Sequence, residues 1–239
     1  LKAQEPIAPK ENNSIRIMSY NVHNGIGMDN LTDYLRIAEV LNRVAPDIVA
    51  VQELDSATQR SNGAYVLKEI AGHARMHYTY GAAIDFQGGK YGIGILSKEK
   101  PLNYRSIPLP GREEKRLLLI AEFEKYVFCC THFSLTEEDR NTSVSIIREA
   151  IKDIKKPLFL AGDMNSEPES FTQELLREYL TTFNNPKAPT FPVVEPRECI
   201  DYIYGYNNGN TYTVLKCQVL TDEQVASDHL PVFVDGSLK

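Results

Sequence analysis

The chain has 239 residues, of which 42% are hydrophobic and 24% charged, and its formal net charge is −6. This length suits one α/β domain with a sizeable core, and the composition is that of a soluble globular protein. Because nonspecific binding to nucleic acid depends on clustered Lys and Arg, the acidic balance disfavours a nucleic-acid substrate without excluding it. No apolar stretch approaches the roughly 18 residues of a membrane-spanning helix, so we expect no transmembrane segment.

The first thirteen residues are polar and contain proline, and the chain does not begin with Met. We expect residues 1–13 to be an N-terminal tail. Residues 14–239 should form a single domain, because no linker, repeat or low-complexity block divides them. The start of the chain favours an exported protein, periplasmic or secreted after signal removal, over a cytoplasmic one. A monomer is the expected state.

Strands and helices alternate along the chain. Helical stripes of apolar residues, cap residues and first-turn acids predict helices over 31–44, around 64–71, from 136 to about 154, and over 169–180. Alternating or continuous apolar runs predict strands over 14–20, 47–52, 91–97, 116–123, 126–132, 157–162, 199–206, 212–220 and 230–235. The hairpin-rich middle and end favour largely antiparallel pairing. The pattern therefore predicts two packed sheets with outer helices rather than a doubly wound sheet.

The four cysteines do not form a framework. Cys129 and Cys130 are adjacent on a predicted strand, so their side chains point to opposite faces, and both are interpreted as small hydrophobic core residues. Cys199 and Cys217 lie on two predicted strands and could pair if those strands are neighbours, which spacing alone leaves open. Without a CxxC motif, a zinc or redox role is not expected.

Polar residues follow the first two predicted strands at the points where they end. Glu53 ends the apolar run DIVAVQE, where its carboxylate can bind a metal ion or simply be solvated. Asn21 follows IRIMSY, and His23 projects from the same side of an extended chain. An asparagine there can hold a phosphate oxygen or a metal-bound water, but Asn24-Gly25 follows immediately and a plain turn is the other interpretation.

Two later strands end in the same way. Asp163 and Asn165 follow LFLAG at a spacing that aims both side chains in one direction, so they can orient one water or bind one hard cation. An Asx turn that caps the next helix competes with this interpretation. His132 ends YVFCCT and is either catalytic or a buried structural histidine.

The last group lies near the C-terminus. Asp228 and His229 precede the run LPVFV, and two adjacent residues on a strand point in opposite directions, so each is expected to need its own partner. Asp201 lies inside an apolar run, where a carboxylate is costly to bury unless it is paired. A buried carboxylate that holds an imidazole fixes its tautomer and raises its basicity. Together these groups predict one site where at least six apolar strands end or are interrupted.

The order of these motifs resembles the endonuclease/exonuclease/phosphatase superfamily. DNase I-like nucleases, exonuclease III-like repair enzymes, bacterial sphingomyelinases and inositol-polyphosphate 5-phosphatases share this fold. The resemblance spans about residues 15–234 and rests on the segments SYNVHNG (19–25), QE (52–53), YGIGILSK (91–98), TH (131–132), GDMN (162–165), IDYI (200–203) and SDHLPV (227–232). It implies a DNase I-like four-layer α/β sandwich, with two largely antiparallel sheets between layers of helices.

The resemblance also implies roles for individual residues. Glu53 is expected to be the principal ligand of Mg²⁺, with Asn21 nearby and Asp228 on the same or a second metal; Mn²⁺ is the alternative cofactor. Asp163 and Asn165 match the pair that prepares the attacking water and contacts the phosphate. His229 is expected to act on the water or a phosphoryl oxygen, and Asp201 to orient it. The sequence does not choose between Asp163 and His229 as general base.

Three further residues bear on the substrate. His132 matches the histidine of the DNase I and sphingomyelinase branches, where repair enzymes carry a tyrosine. His23 departs in the same direction, because repair enzymes tend to have an acid there, and it is a candidate for substrate binding. Arg116 is a candidate for a phosphate contact. The chain has no Trp and no evident membrane-binding hairpin, and its connections are short for DNA-gripping insertions.

We therefore predict a Mg²⁺-dependent phosphodiesterase that acts on a small or lipid-derived phosphate ester by in-line attack of an activated water. A DNase I-like endonuclease is the second interpretation. A catalytically silent family member that binds a phosphorylated partner is the third.

Overall fold

Two six-stranded β-sheets face each other in the computed structural model, which describes residues 3–238. The helices are α1 (Tyr34–Val44), α2 (Val66–Ala74), α3 (Glu137–Ile151) and α4 (Phe171–Arg177). The strands are β1 (Ser14–Asn21), β2 (Ile48–Ser56), β3 (His77–Phe86), β4 (Gly89–Ser97), β5 (Asn103–Leu109), β6 (Arg116–Glu122), β7 (Val127–His132), β8 (Leu158–Asp163), β9 (Leu180–Thr182), β10 (Asp201–Tyr206), β11 (Tyr212–Val219) and β12 (Val232–Leu238).

The first sheet has the strand order β11-β12-β1-β2-β4-β3, and the second has the order β5-β6-β7-β8-β10-β9. In each sheet a single pair is parallel, β1 with β2 and β7 with β8, and every other pair is antiparallel. The predicted α/β sandwich with two largely antiparallel sheets is confirmed. Because parallel strands end on the same side, the two central pairs bring four strand ends to one rim of the sandwich.

Alternation along the central strands divides the apolar residues among three cores. On β2, Ile48 and Ala50 face the opposite sheet, whereas Val49 and Val51 pack with the helices α1 and α2. The strand β6 follows the same rule, with alternate residues in the core between the sheets and in the core under α3 and α4. Central strands with both faces buried need apolar residues at nearly every position. That requirement explains their continuous hydrophobic runs.

Several predicted elements differ from the observed ones. The strands β3, β5 and β9 were not predicted, because β3 and β5 are edge strands with many exposed residues and β9 has only three. The helix predicted over 169–180 is wrong at its end: α4 stops at Arg177 and Leu180 begins β9. The helix predicted from residue 31 begins at Tyr34, where Asp33 accepts a hydrogen bond from the backbone N–H of Arg36.

The four cysteines are free thiols. Cys129 and Cys130 are buried on opposite faces of β7, as their adjacency predicts. Cys199 is buried and Cys217 is exposed on β11, so the pairing that the sequence left open is not formed. Between residues 3 and 238, no helix combines the length and the apolar character needed to cross a membrane.

Candidate active site

Strand pairing places three of the predicted site residues in one row of the second sheet. His132, the last residue of β7, lies opposite Asp163, the last residue of β8. Asp201, the first residue of β10, lies opposite Asp163 from the other side. Asn21 ends β1 in the facing sheet, and its amide reaches across to Asp163. The ends of strands from both sheets therefore converge at one place.

One carboxylate oxygen, Oδ2 of Asp163, is the point where this cluster meets. It lies 3.1 Å from Asn21 Nδ2, 3.3 Å from His132 Nε2 and 3.6 Å from His229 Nε2. The other oxygen, Oδ1, accepts a hydrogen bond of 3.0 Å from the backbone N–H of Asn165. Three nitrogen groups thus surround a position that holds an anionic oxygen, and the Asp163 side chain is almost fully buried.

Burial and charge shift the pKa values of Asp163 and His229 in opposite directions. Burial alone would raise the pKa of the Asp163 carboxyl, but the neighbouring imidazoles of His132 and His229 outweigh it and hold the pKa below its ordinary value. Burial alone would lower the pKa of His229, but the carboxylates of Asp201 and Asp163 raise it to about 10. At neutral pH, Asp163 is therefore an anion and His229 a cation with both ring nitrogens protonated.

His229 is held in place from two sides. Its Nδ1 lies 2.9 Å from Oδ2 of Asp201, and the same oxygen accepts a hydrogen bond of 2.6 Å from the hydroxyl of Thr190. The ring of Phe191 packs against the imidazole at a centroid distance of 4.6 Å. Thr190 and Phe191 were not predicted. They lie in an irregular loop before β10, and no local pattern distinguishes them from other loop residues.

Glu53 reaches the cluster because β2 is irregular at this point. Pairing with β4 shifts register between Val51 and Leu54, and Glu53 has a left-handed backbone with a φ of 60°. Such a bulge redirects the side chain at the point where it occurs. The half-buried Glu53 carboxylate accepts a hydrogen bond from Asn21 Nδ2, the same nitrogen that contacts Asp163.

Asp228 and His229 both face this cluster. Each offers a ligand atom that, together with a carboxylate oxygen of Glu53, falls within a group no more than 4.8 Å across. The expectation that the two adjacent side chains point apart is wrong, because they lie in the loop before β12 and not on the strand. Ser227, on the same loop, donates a hydrogen bond of 2.6 Å to the carbonyl of Asn21 and so fixes the loop against β1.

The remaining predicted residues lie at the edges of the cluster. The side-chain amide of Asn165 donates to the carbonyl of Phe133 at 2.8 Å, and its backbone forms the Asx turn that competed with the site interpretation. His23 lies in a short 3₁₀ turn with its Nδ1 3.0 Å from the carbonyl of Ile26.

Arg116 lies behind His132. Its Nη1 is 3.3 Å from His132 Nδ1, and the guanidinium also pairs with Glu113 and Glu114 at 3.2 Å each. Because a guanidinium can only donate hydrogen bonds, His132 Nδ1 is the acceptor and the ring proton is on Nε2, which faces Asp163. Arg116 is 5% exposed. Its contacts are to protein groups at the back of the site.

The donor set fits a hard divalent cation. Glu53 belongs to two groups of possible ligands, one with His132 and Asp163 and one with Asp228 and His229. Between residues 3 and 238, no Lys or Arg forms a salt bridge with Glu53, Asp163 or Asp228. Carboxylates that converge without a lysine or arginine partner are suited to an ion such as Mg²⁺, which prefers oxygen ligands.

Comparisons with known proteins agree with the fold and the motifs. A curated relative from Salmonella typhi, a homolog of a cytolethal distending toxin component, is 26% identical over 163 residues, which are 66% of this chain. The chain spans only 59% of the length of that relative.

Two solved structures share the fold. The first is an endonuclease/exonuclease/phosphatase from Beutenbergia cavernae, with a TM-score of 0.79 and 22% identity over 95% of this chain and 72% of the other. The second is a mannosyl-6-phosphatase from Bacteroides thetaiotaomicron, with a TM-score of 0.73 and 18% identity over 93% of this chain and 99% of the other.

The family model described as Endonuclease/Exonuclease/phosphatase family matches residues 18–229, which include every predicted site residue. The chain belongs to the endonuclease/exonuclease/phosphatase family, whose members are metal-dependent hydrolases of phosphate esters.

Proposed function

We propose that the protein is a Mg²⁺-dependent phosphoesterase that hydrolyses a phosphodiester, with a small or lipid-derived ester as its substrate. The observation that carries this proposal is the convergence of three nitrogen groups on Oδ2 of Asp163, beside the carboxylates of Glu53 and Asp228. Donors that converge on one anionic oxygen can also bind the oxygens of a phosphate placed beside it.

Asp163 is the proposed general base. A water aligned by its carboxylate attacks phosphorus, the water proton passes to Asp163, and the bond from phosphorus to the ester oxygen breaks. The leaving oxygen takes a proton from solvent and departs as an alcohol. The raised pKa of His229 supports this assignment, since the protonated ring has no free lone pair at neutral pH, whereas Asp163 is ionised. The assignment of His229 as base requires a neutral ring.

His229 and His132 are the proposed donors to the phosphoryl oxygens. Both present an Nε2–H toward Asp163 Oδ2, beside which a phosphoryl oxygen would bind, and electrostatic stabilisation of this kind contributes about 10²- to 10³-fold to a rate. Asp201 and Arg116 are positioning residues: the first holds His229 through Nδ1, and the second holds His132 through Nδ1. The position of Asn165, with its side chain on Phe133, supports a role in shaping the turn around Asp163.

Glu53 and Asp228, with Asn21 at their side, are the residues that would hold Mg²⁺. When bound, the cation would neutralise the charge that develops on the phosphoryl and leaving oxygens. Asn21 would have to turn its amide so that the oxygen faces the ion. Without the cation, Asn21 Nδ2 donates to both the Glu53 and the Asp163 carboxylates. A donor between these two groups reduces the repulsion between their negative charges.

The test is hydrolysis of bis(p-nitrophenyl) phosphate and p-nitrophenyl phosphate in Mg²⁺ and in EDTA. We expect Mg²⁺-dependent cleavage that favours the diester. A preference for the monoester would make the protein a phosphatase, as the name of the Bacteroides relative states for that protein. No turnover of either ester, or of DNA and phospholipid in a wider screen, would favour a silent binding protein and contradict the proposal.

The dependence of KM on salt concentration distinguishes a nuclease from a hydrolase of small esters. Binding of DNA through several phosphate contacts weakens steeply between 50 and 200 mM salt, by about 10³-fold or more. We expect KM for the natural substrate to change far less than this, because the net charge of −6 provides no excess of cations for a polyanion. A steep dependence of KM on salt with DNA as the preferred substrate would identify an endonuclease.

A further inference from the structure

A cavity of about 350 Å³ opens beside Glu53, on the side of the site away from Asp201. We call it the Arg60 cavity. It shares Glu53 and His23 with the candidate site, and its remaining walls come from the loops after β1 and β2, the strands β3 and β4, and the loop before β6. These walls include Ile26, Arg60, Ile84, Phe86, Tyr91 and Glu114. Its volume is that of a small-molecule pocket.

Arg60 is fixed in one orientation by a buried carboxylate. Its Nη2 and Nε donate to the two oxygens of Asp55 at 2.7 and 2.6 Å, and the Asp55 side chain is fully buried. The guanidinium lies over the ring of Phe86 at 4.5 Å and near that of Tyr91 at 5.5 Å. Within residues 3–238, Arg60 Nη1 has no hydrogen-bond partner, and 40% of the side chain is exposed. A rigid donor is therefore available at the cavity wall.

Apolar and aromatic side chains line the cavity beside the donor. Ile84 and Phe86 lie on one face of β3, half-buried, and Tyr91 pairs with Ile84 across the β3–β4 hairpin. A group that enters this cavity would contact hydrocarbon and aromatic surface along its length and would meet a hydrogen-bond donor at one end. Few precisely placed polar groups on an apolar wall are the usual construction of a specificity pocket.

The charges around the cavity argue against a second anionic group. Asp55 neutralises Arg60, and Arg116 pairs with Glu114. Arg116 also pairs with Glu113, so neither Arg60 nor Arg116 has an uncompensated positive charge. With Mg²⁺ held by Glu53, an additional phosphate or carboxylate of the ligand would still need a free cation in the cavity. An uncharged group would not.

A second cavity borders the site near Asn165 and differs in character. It measures about 420 Å³ and is lined by Glu167, Glu169 and Glu198 beside Arg140. The single guanidinium there already donates to the carbonyls of Ser134 and Leu135. This cavity is lined by three acidic side chains, so it is a poorer match for an uncharged organic substituent.

The position of the Arg60 cavity matches the direction in which the leaving group departs. In-line displacement places the attacking water and the leaving oxygen on opposite sides of phosphorus. Asp163, the proposed base, ends β8 in one sheet, whereas the cavity is lined by Glu53 on β2 and by residues of β3 and β4 in the other. A water at Asp163 would attack from the β8 side of the phosphate, and the alcohol would leave toward the cavity.

We infer that the Arg60 cavity binds the alcohol of the phosphate ester, and that this alcohol is an uncharged group with an apolar face and a hydrogen-bond acceptor at its far end. Aryl and glycosyl groups share this chemistry. The inference rests on the proposed function, because it takes the direction of attack from the role of Asp163.

The test compares small phosphates as competitive inhibitors of bis(p-nitrophenyl) phosphate hydrolysis in Mg²⁺. The probes are inorganic phosphate, methyl phosphate, phenyl phosphate, glucose 6-phosphate and 2-phosphoglycolate. We expect phenyl phosphate or glucose 6-phosphate to bind about tenfold to a hundredfold more tightly than methyl phosphate, because methyl phosphate leaves the apolar wall uncovered. Whichever of the two binds more tightly identifies an aryl or a glycosyl alcohol.

Ile84→Trp fills the cavity without altering a residue of the proposed reaction site. In this variant we expect the preference over methyl phosphate to fall to about threefold or less, while inhibition by inorganic phosphate stays at the wild-type value. Tyr78→Trp is the matched control, because it enlarges an exposed side chain on the same strand, six residues or about 20 Å from Ile84. It should retain the wild-type preference.

Arg60→Lys tests the donor itself. The lysine keeps a positive charge against Asp55 but lacks the planar fork and its third nitrogen. We expect the ratio of affinities for p-nitrophenyl phosphate and phenyl phosphate, which differ in a terminal acceptor, to fall about three- to tenfold. The affinity for inorganic phosphate should not change.

Three results would overturn the inference: equal binding of methyl, phenyl and glucosyl phosphates by the wild type, tightest binding of 2-phosphoglycolate, or an unchanged preference in Ile84→Trp. Each of them requires a wild-type enzyme that turns over the diester and is inhibited by phosphate. If the wild type shows neither property, the proposed function fails first, so the two failures are distinguishable.

Discussion

Replacement of Asp201 by Asn tests how the charge of His229, as distinct from its position, contributes to the reaction. Asp201 does not face the proposed phosphate site, and its Oδ2 lies 2.9 Å from His229 Nδ1. The change keeps the shape of the side chain and removes the charge that contributes most to raising the pKa of His229. We expect a lower kcat with little change in KM, and a loss that depends on pH.

The size of this pH dependence follows from the pKa of His229. With a pKa of about 10, ~99% of the wild-type ring is protonated at pH 8. If the pKa returned to the ordinary value of about 6.5, only ~3% would be protonated at pH 8, but ~75% at pH 6. The loss of kcat in Asp201→Asn should therefore be up to ~25-fold greater at pH 8 than at pH 6. This ratio is an upper limit, because Asp163 also raises the pKa of His229 and is still present in the variant.

The assay is kcat for bis(p-nitrophenyl) phosphate from pH 6 to pH 10, read after an alkaline quench. The loss of the bond that orients His229 should lower kcat by a further factor of about 10² at every pH. Thr190→Val is the control, since it removes the hydroxyl bond to Asp201 but keeps the carboxylate, and its profile should keep the wild-type shape. An equal loss at pH 6 and pH 8, or no loss at all, would refute the assignment of His229 as a protonated donor.

Three other predictions concern stability. Asp235→Ala should lower the free energy of unfolding by about 3–5 kcal/mol, because Arg16 loses the buried partner that lies 2.7 Å away. Urea melts measure this loss, and kcat should not change. A loss below about 1 kcal/mol would contradict the prediction. Mg²⁺ at ten times its Kd should stabilise the wild type by about 1.4 kcal/mol, measured as a higher Tm. If Glu53→Gln gained the same stability from Mg²⁺, Glu53 would be excluded as a ligand. In EDTA, protonation of His229 should stabilise the fold fully below the unfolded pKa of about 6.5, because the folded state holds the proton more tightly. This contribution should be lost as pH rises through about 10. A Tm difference between wild type and His229→Gln that stays constant across that range would contradict this prediction.

The position of the site could be predicted because its residues interrupt apolar strands. Asn21, His132 and Asp163 each end a central strand with both faces buried, so a polar residue there contrasts with its neighbours. Parallel pairing of β1 with β2 and of β7 with β8 then brings these ends to one rim. A strong local contrast and a simple topology together made the prediction possible.

The features that were missed depend on contacts between distant segments. Glu53 reaches the cluster through a bulge with a positive φ, and Thr190 meets Asp201 across a loop. Asp228 and His229 face one cluster because a loop, not a strand, carries them. Neither hydrophobic periodicity nor local propensity encodes such geometry, since tertiary contacts fix the backbone of loops and bulges.

The edge strands were missed for a different reason. Five of the seven residues of β5 are exposed, and β3 alternates irregularly through a register shift at Ala82. Edge strands bury less surface than central ones, so their sequences carry less of the apolar signal from which strands are predicted.

The measurement that bears most directly on the proposed site is kcat for bis(p-nitrophenyl) phosphate in Mg²⁺ for wild type, Asp163→Asn and Asp85→Asn. Asp85 is an exposed carboxylate on β3 and serves as the control for the same chemical change. We expect Asp163→Asn to fold, as judged by circular dichroism, and to lose about 10³-fold or more in kcat, while Asp85→Asn keeps wild-type turnover. Wild-type turnover in a folded Asp163→Asn protein would show that the reaction does not take place at this cluster.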